Sequence, residues 1–510
     1  MSATRPMEGV TLMGYSPAAL GVAAVILLLS ILQQSMGHQN FDNSWLFTVA
    51  ERVLDGGAPY VDFIEANPPA SFLIYMPAVA LARFVGTTVE FMVCACVFAG
   101  GAGVIVFAGC VLRRANLLGA GEAGLWLVMT VFVMLFLPGI QFAQREHIAM
   151  LCLLPLLAVY AARAHGARCA MRDAIAAGLM AGITVAIKPH FALAALAPLT
   201  FVMVRRRSSK PILNAENWAV VCVVLAYGAL LIWRFAAFFD MLPLLLDVYV
   251  PLKKSLRDVV LPLPFIISFA LICGVFLAAR KGRFSPLMGT PLLASLGFMG
   301  AYLMQAKGFP NHLAPCLLLP LLAACMLSIP ALAAFASKGD DAPQWQAQRW
   351  VLFFGLLPMM LVGGYFCGVI LQYSQWEESP GLRAAVQRLA PPQPRLIAAS
   401  TLFYAGYPVV RQVGGHWVGR LNGLWITKTA QDMMESGIGD DAYRARLTAY
   451  IDRDARMLLD DVRSQKPDLI LSDEYSSTMK AMRHPDIVLA FADYTPLEKV
   501  DDITIWGRKP

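Results

Sequence analysis

Residues 42–75 read DNSWLFTVAERVLDGGAPYVDFIEANPPASFLIY. They form a polar interval, carrying Asp42, Asp62 and Glu65, that follows an apolar run at 17–35. A short apolar run, 71–86, comes after Pro68-Pro69, and a longer one, 90–112, comes next. Whether 71–86 crosses a membrane decides the topology of everything beyond it. A spanning helix needs about 20 apolar residues, and 71–86 supplies 16. Charge gives a second argument. Arg113-Arg114, then Arg163, Arg168 and Arg172, then Arg205-Arg206-Arg207 with Lys210, then Arg280, Lys281 and Arg283 recur at every second boundary between apolar runs. The positive-inside rule places all of them in the cytoplasm. With a cytoplasmic N-terminus, a single crossing fits between an outer segment 36–70 and Arg113-Arg114. Residues 90–112 therefore span, and 71–86 lies along the interface within a first extracytoplasmic loop, 36–89.

Composition supports the same class. The chain has 510 residues, 58% of them hydrophobic and 15% charged, with a mean hydropathy of +0.60. Soluble domains carry about 25% charged residues. Alternating strand patterns are absent, which leaves helices as the structure that satisfies the backbone in lipid. Apolar runs at 17–35, 90–112, 121–140, 147–163, 173–188, 190–204, 216–238, 260–280, 287–305, 313–335 and 350–372 predict an all-α polytopic membrane domain of eleven transmembrane helices over 1–372. No small-residue cleavage site follows the first run, so it reads as a retained helix rather than a signal peptide. The net charge of +7 is spread over clusters that act as topology signals, so the expected environment is the lipid bilayer and not nucleic acid. The ten cysteines show neither a disulfide framework nor zinc spacing. After Tyr373 charge rises and long apolar runs stop. Strand-like segments at 395–399, 469–471 and 503–506 and helical ones at 381–390 and 440–466 predict a soluble α/β domain over 373–510, placed outside by the count of spans.

The polar residues gather at the predicted outer helix ends. Beside Asp42, Asp62 and Glu65 these are Arg145, Glu146 and His147 around the third span, Lys188 and His190 between the fifth and sixth, and Lys307, Asn311 and His312 after the ninth. Asp247, Tyr249, Lys253, Lys254 and Arg257 follow the seventh. Ionisable groups at membrane depth are costly and usually functional. Such a face suits a lipid-phosphate substrate: Lys188, Lys307, Arg145 and the histidines offer cations or donors for a departing phosphate, and Asp42 offers a base, worth roughly 10²–10⁴-fold. The alternatives are interfacial caps and anchors, a structural ion pair for Arg145 with Glu146, and a headgroup-facing charge run for Lys253, Lys254 and Arg257.

The pattern Asp42-Asn43-Ser44-Trp45, Leu54-Asp55-Gly56-Gly57-Ala58-Pro59-Tyr60, Asn67-Pro68-Pro69 and Tyr75 resembles the first outer loop of the GT-C superfamily. These membrane glycosyltransferases use polyprenyl-phosphate sugars, and lipid A aminoarabinose transferases and protein O-mannosyltransferases belong to them. The resemblance extends in architecture over about the first 330 residues and in motif detail over the first loop. It implies that Asp42 is the catalytic base of an inverting transfer, with Asp62 and Glu65 as structural or electrostatic neighbours. Asn43 stands where the family has a second acid, so no cofactor and no metal site is expected. Asn67 stands where the family has a lysine, a cation that Lys307 restores. Glu146 matches an acidic position, and His312 with Asn311 stands in for a tyrosine and an arginine that contact the carrier phosphate. The alternative for Asp42 is an N-cap of a helix beginning near Ser44.

The implied reaction moves a sugar from a polyprenyl-phosphate-linked donor to a glycan, lipid or protein acceptor outside the cytoplasmic (inner) membrane, lipopolysaccharide among the options. A transporter or flippase of a lipid-linked glycan is the competing reading, although its ionisable groups would sit nearer the bilayer midplane in repeat-related helices. In the C-terminal domain Tyr404, Tyr407, Arg411, His416, Trp417 and Arg420 read either as a packed core with surface charge or as acceptor contacts.

Overall fold

The computed structural model of the protein describes residues 15–37, 40–279, 284–336, 380–401 and 405–509. The expected span at 350–372 lies outside the described residues, as does Tyr404. The other ten expected spans are helical. Six helices, Pro17–Met36, Val89–Arg114, Arg145–His165, Ala215–Arg234, Pro286–Gln305 and the Pro310–Pro330 part of Pro310–Ala336, are long and apolar enough to cross a bilayer. Others are shorter than a full span, such as Met171–Ile187 and Ala192–Arg206 at 17 and 15 residues. The segment after Pro68-Pro69 breaks into Ala70–Leu73 and Met76–Val85. Taken together, Ala70–Val85 is among the shorter apolar helices, below the roughly 20 residues of a full span.

Contacts divide the chain into two compact units. The first comprises Met1–Gly37, Cys94–Gly228 and Lys254–Gln372. The second comprises His38–Val93, Ala229–Lys253 and Tyr373–Pro510. The composition change near 373 thus marks one edge of a unit that also takes in the first loop.

In the first unit each helix begins and ends for identifiable reasons. Ser16 caps Pro17–Met36 by accepting from the Ala19 amide at 3.2 Å, with proline at the first helical position, where its missing N–H costs nothing. Val25, Leu28 and Leu32 of that helix are exposed, as lipid-facing side chains are. Arg145–His165 is buried almost throughout. Small residues let helices touch: a Cβ on Gly297 would run into the Leu193 and Ala194 backbone, the close approach that drives helix association in lipid. At one end the basic residues pair with acids at the starts of other helices. Arg114 reaches Asp173 at 2.5 Å, and Arg163 grips the fully buried Glu216 at 3.1 and 3.2 Å.

The second unit is built on a five-stranded sheet with strands β1 Arg395–Ala399, β2 His416–Trp417, β3 Leu469–Asp473, β4 Tyr494–Val500 and β5 Ile503–Arg508, in the order β2-β1-β3-β5-β4. β1 runs parallel to β2 and β3, and β5 pairs antiparallel with β3 and β4. The expected strands and helices of the α/β domain are present, with helices Pro380–Leu389 and Asp441–Gln465. β3 is buried along its whole length, as a continuous apolar strand covered on both faces should be.

The first loop packs on this sheet domain within the same unit. Its helix runs Phe41–Leu54. The Ile64 amide donates to the Arg420 carbonyl at 2.8 Å, and Arg52 donates to the carbonyls of Gly419 at 2.9 Å and Trp417 at 3.3 Å. Arg411 donates to both Glu51 carboxylate oxygens at 2.7 and 3.2 Å, to Thr48 at 3.2 Å, and to Glu90. Burial works against its charge, but Glu51 and Glu90 more than offset this and hold its pKa above the ordinary arginine value. Arg411 therefore serves as a clamp between loop and sheet domain. Arg411→Ala is expected to cost about 3 kcal/mol, the lower end of the range for breaking a buried pair. Arg411→Lys should recover only part of this, because an ammonium cannot reproduce the forked contact. Thermal unfolding in detergent measures both, and equal melting of Arg411→Ala and wild type would refute the clamp.

Candidate active site

Three distant pieces of sequence meet in the first unit. Glu146 stands in the first turn of Arg145–His165, Lys188 directly follows Met171–Ile187, and His312 stands in the first turn of Pro310–Ala336. The Lys188 ammonium donates to Glu146 Oε1 at 2.5 Å and to His312 Nε2 at 2.9 Å. Glu146, Lys188 and His312 are all buried. An ammonium has donors and no lone pair, so His312 Nε2 must accept. The proton of a neutral His312 is then on Nδ1. Among the described residues, His312 Nδ1 and Glu146 Oε2 have no hydrogen-bond partner. A buried donor and a buried acceptor without partners are costly, and both belong to side chains bonded to Lys188.

Arg145 and His190 complete the neighbourhood. Arg145 is buried and interacts electrostatically with Glu146 and His312. His190 sits half-buried on the turn Pro189–Phe191, edge-on to Phe191, with Nε2 unpartnered among the described residues. Arg145 and Lys188 thus bring two cations to the Glu146 carboxylate.

The other expected residues are placed differently. His147 accepts the Ala143 amide on Nδ1 at 3.1 Å, so Nε2 carries the proton and donates to the Met134 carbonyl at 2.7 Å. Both ring nitrogens are committed. His147 thereby ties the π-helical turn Phe132–Phe136 to the next helix and holds Ala143 at φ 60°, a strained value for a residue with a side chain. Lys307 is buried in the turn between Pro286–Gln305 and Pro310–Ala336, and Asn311 is half-buried beyond it. That turn is pinned by the Lys254 amide, which donates to Ala306 at 2.8 Å.

In the second unit, Glu65 is a structural clasp. It accepts from Trp45 Nε1 at 2.5 Å and from the Asn67 amide and side chain at 2.7 and 2.5 Å. This ties the first-loop helix to the Asn67-Pro68-Pro69 corner. Asp62 is exposed and accepts from the Ala58 amide at 2.7 Å, closing a turn. Asp42 is half-buried in the first turn of Phe41–Leu54. The helix begins at Phe41 rather than near Ser44, and its cap is Asn40, whose side chain accepts from the Asp42 amide at 2.8 Å. Asp42 is therefore not the N-cap. Asn43 is buried, with Tyr75 donating to it at 3.4 Å. Among the described residues no cluster of three or more His, Cys, Asp or Glu has the arrangement of a metal site.

Neither a family model nor a curated protein matches this chain. Solved structures do. The chain is similar to ArnT from Cupriavidus metallidurans bound to undecaprenyl phosphate, with 13% identity and a TM-score of 0.55 over 96% of this chain and 97% of that one. It is also similar to ArnT from the same organism in the apo state, with 14% identity and a TM-score of 0.50 over the same shares of the two chains. The fold is that of these ArnT structures. At this identity the likeness establishes the polytopic membrane architecture with its C-terminal soluble domain, and the assignment of individual residues rests on the geometry above.

The geometry makes a stability prediction. Lys188→Met strands the Glu146 carboxylate and is expected to cost about 3–5 kcal/mol. Lys188→Met combined with Glu146→Gln removes both charges and should recover most of that loss. Melting temperatures of the two variants in detergent check this, and equal losses in both would show that the two side chains are not coupled.

Proposed function

We propose that this chain is a membrane glycosyltransferase that moves a sugar from a polyprenyl-phosphate donor to an acceptor on the extracytoplasmic side of the plasma membrane. The observation that carries the reading is the buried cluster of Arg145, Glu146, Lys188 and His312, in which His312 Nδ1 and Glu146 Oε2 have no hydrogen-bond partner among the described residues, set in a chain with the fold of ArnT. ArnT, which shares that fold, has been crystallised with undecaprenyl phosphate.

In this reading Lys188 and Arg145 take up the charge of the departing phosphate, and His312 Nδ1–H donates to one of its oxygens. Glu146 keeps the Lys188 ammonium charged and aimed. The base for the acceptor hydroxyl is, by the resemblance of the first loop, Asp42. The acceptor oxygen bonds to the anomeric carbon, the bond from that carbon to the phosphate oxygen breaks, and the electron pair leaves with the lipid phosphate. Configuration inverts because attack and departure are on opposite faces. Support for Asp42 as a base is that the capping role belongs to Asn40.

Two measurements test this. Undecaprenyl phosphate should stabilise wild type against heat by mass action and leave the melting of Lys188→Met/Glu146→Gln unchanged. Purified protein given polyprenyl-phosphate sugars and an envelope extract should release free carrier phosphate, and Asp42→Asn should slow release by two or more orders of magnitude at unchanged melting temperature. Equal turnover of Asp42→Asn and wild type moves the base elsewhere. Movement of intact lipid-linked sugar across vesicles without carrier release sinks the transferase reading in favour of transport.

A further inference from the structure

A cavity of about 780 Å³ opens in the second unit. Its walls come from the first loop, with Arg52, Val61 and Asp62, and from the sheet domain, with Trp417, Arg420 and the C-terminal end of helix Asp441–Gln465. That helix end contributes Asp460, Asp461, Arg463, Ser464 and Gln465. The volume lies within the range of about 300–1,000 Å³ usual for ligand sites.

The lining has a definite chemical character. Three guanidinium groups, Arg52, Arg420 and Arg463, face three carboxylates, Asp62, Asp460 and Asp461. The charges cancel. Arg420 is held by Asp461 at 2.6 Å and lies 3.5 Å from Asp460, while its amide donates to Asp461 at 2.7 Å. Arg52 is fixed by backbone carbonyls, as described above, and feels the charges of Asp461 and Asp62. These groups are rigidly placed. Asp460 is left largely exposed, and Arg463 has no partner among the described residues. A polyanion would want a positive lining and a lipid tail an apolar one. Donors and acceptors in equal number, with no net charge, match the vicinal hydroxyl groups of a sugar chain, each of which both donates and accepts.

We infer that this cavity binds an uncharged, hydroxyl-rich stretch of the acceptor, a glycan segment of a few sugar residues. The inference rests on the transferase reading for the word acceptor, but the binding itself does not depend on turnover. It also gives Arg420 and Trp417 a place in the protein's chemistry that packing alone does not.

The test is equilibrium binding to the full-length protein in detergent, followed by titration calorimetry. The probe is the water-soluble glycan fraction of the source cell envelope, delipidated and treated with phosphatase. Wild type should bind it saturably. Arg463→Ala/Asp460→Ala, which removes two exposed side chains, should melt like wild type and bind at least tenfold more weakly. Neither inorganic phosphate nor undecaprenyl phosphate should compete. Absence of saturable binding to wild type, equal affinity of the double variant, or displacement by phosphate each overturns the assignment. Intact, variant-sensitive binding without sugar transfer leaves the cavity assignment standing and removes the transferase reading. Transfer that is indifferent to the double variant does the reverse.

Discussion

An ammonium group buried among helix ends is stable only where its charge is answered, and Lys188 is answered by Glu146 and His312. That requirement fixes a good deal of the first unit. Glu146 must stand at the start of its helix, Lys188 just past the end of another, and His312 in the first turn of a third, so the three helix ends must meet at one level. The requirement also fixes the histidine tautomer, since the ammonium can only donate. What is left over among the described residues, an imidazole N–H and a carboxylate oxygen without partners, is the part of the arrangement that folding alone does not explain.

The polytopic helical architecture was legible because it follows from length and hydropathy, each of which acts locally. Helices fall where the ten described apolar runs stand in the sequence, and among the described residues six are long and apolar enough to cross a bilayer. The sheet domain was legible for a similar reason: the apolar strands at 395–399, 469–471 and 503–506 have few charges and strong β formers. The cluster was legible residue by residue, because a lysine, a glutamate and a histidine at the ends of apolar helices are conspicuous.

Less legible were the roles within each group. His147 looks like its neighbour Glu146 in sequence, but its two nitrogens are used up on Ala143 and Met134. Glu65 looks like a second acid of a catalytic loop, but its oxygens are occupied by Trp45 and Asn67. Both outcomes depend on backbone groups brought near by tertiary packing, and no spacing rule encodes them. Asn40 as the helix cap is a case where a sequence signal did exist, an asparagine preceding the helix, masked by the acid two residues on. The cavity residues Arg52, Asp460, Asp461 and Arg463 carry no motif. They become a set only when the first loop lies against the end of helix Asp441–Gln465.

The Arg411 clamp has a consequence for what counts as a module in this protein. By composition the chain from Tyr373 onward looks like a detachable water-soluble domain. Yet Arg411 has its carboxylate partners in Glu51 and Glu90, and the Arg420 carbonyl and the Trp417 and Gly419 carbonyls find their donors in Ile64 and Arg52. Excised at that composition boundary, the fragment would carry a guanidinium and a row of carbonyls whose complements stayed behind on the other piece. The unit of inheritance and of engineering is therefore discontinuous in sequence. A transplant of the C-terminal domain into a relative would have to carry the first loop with it.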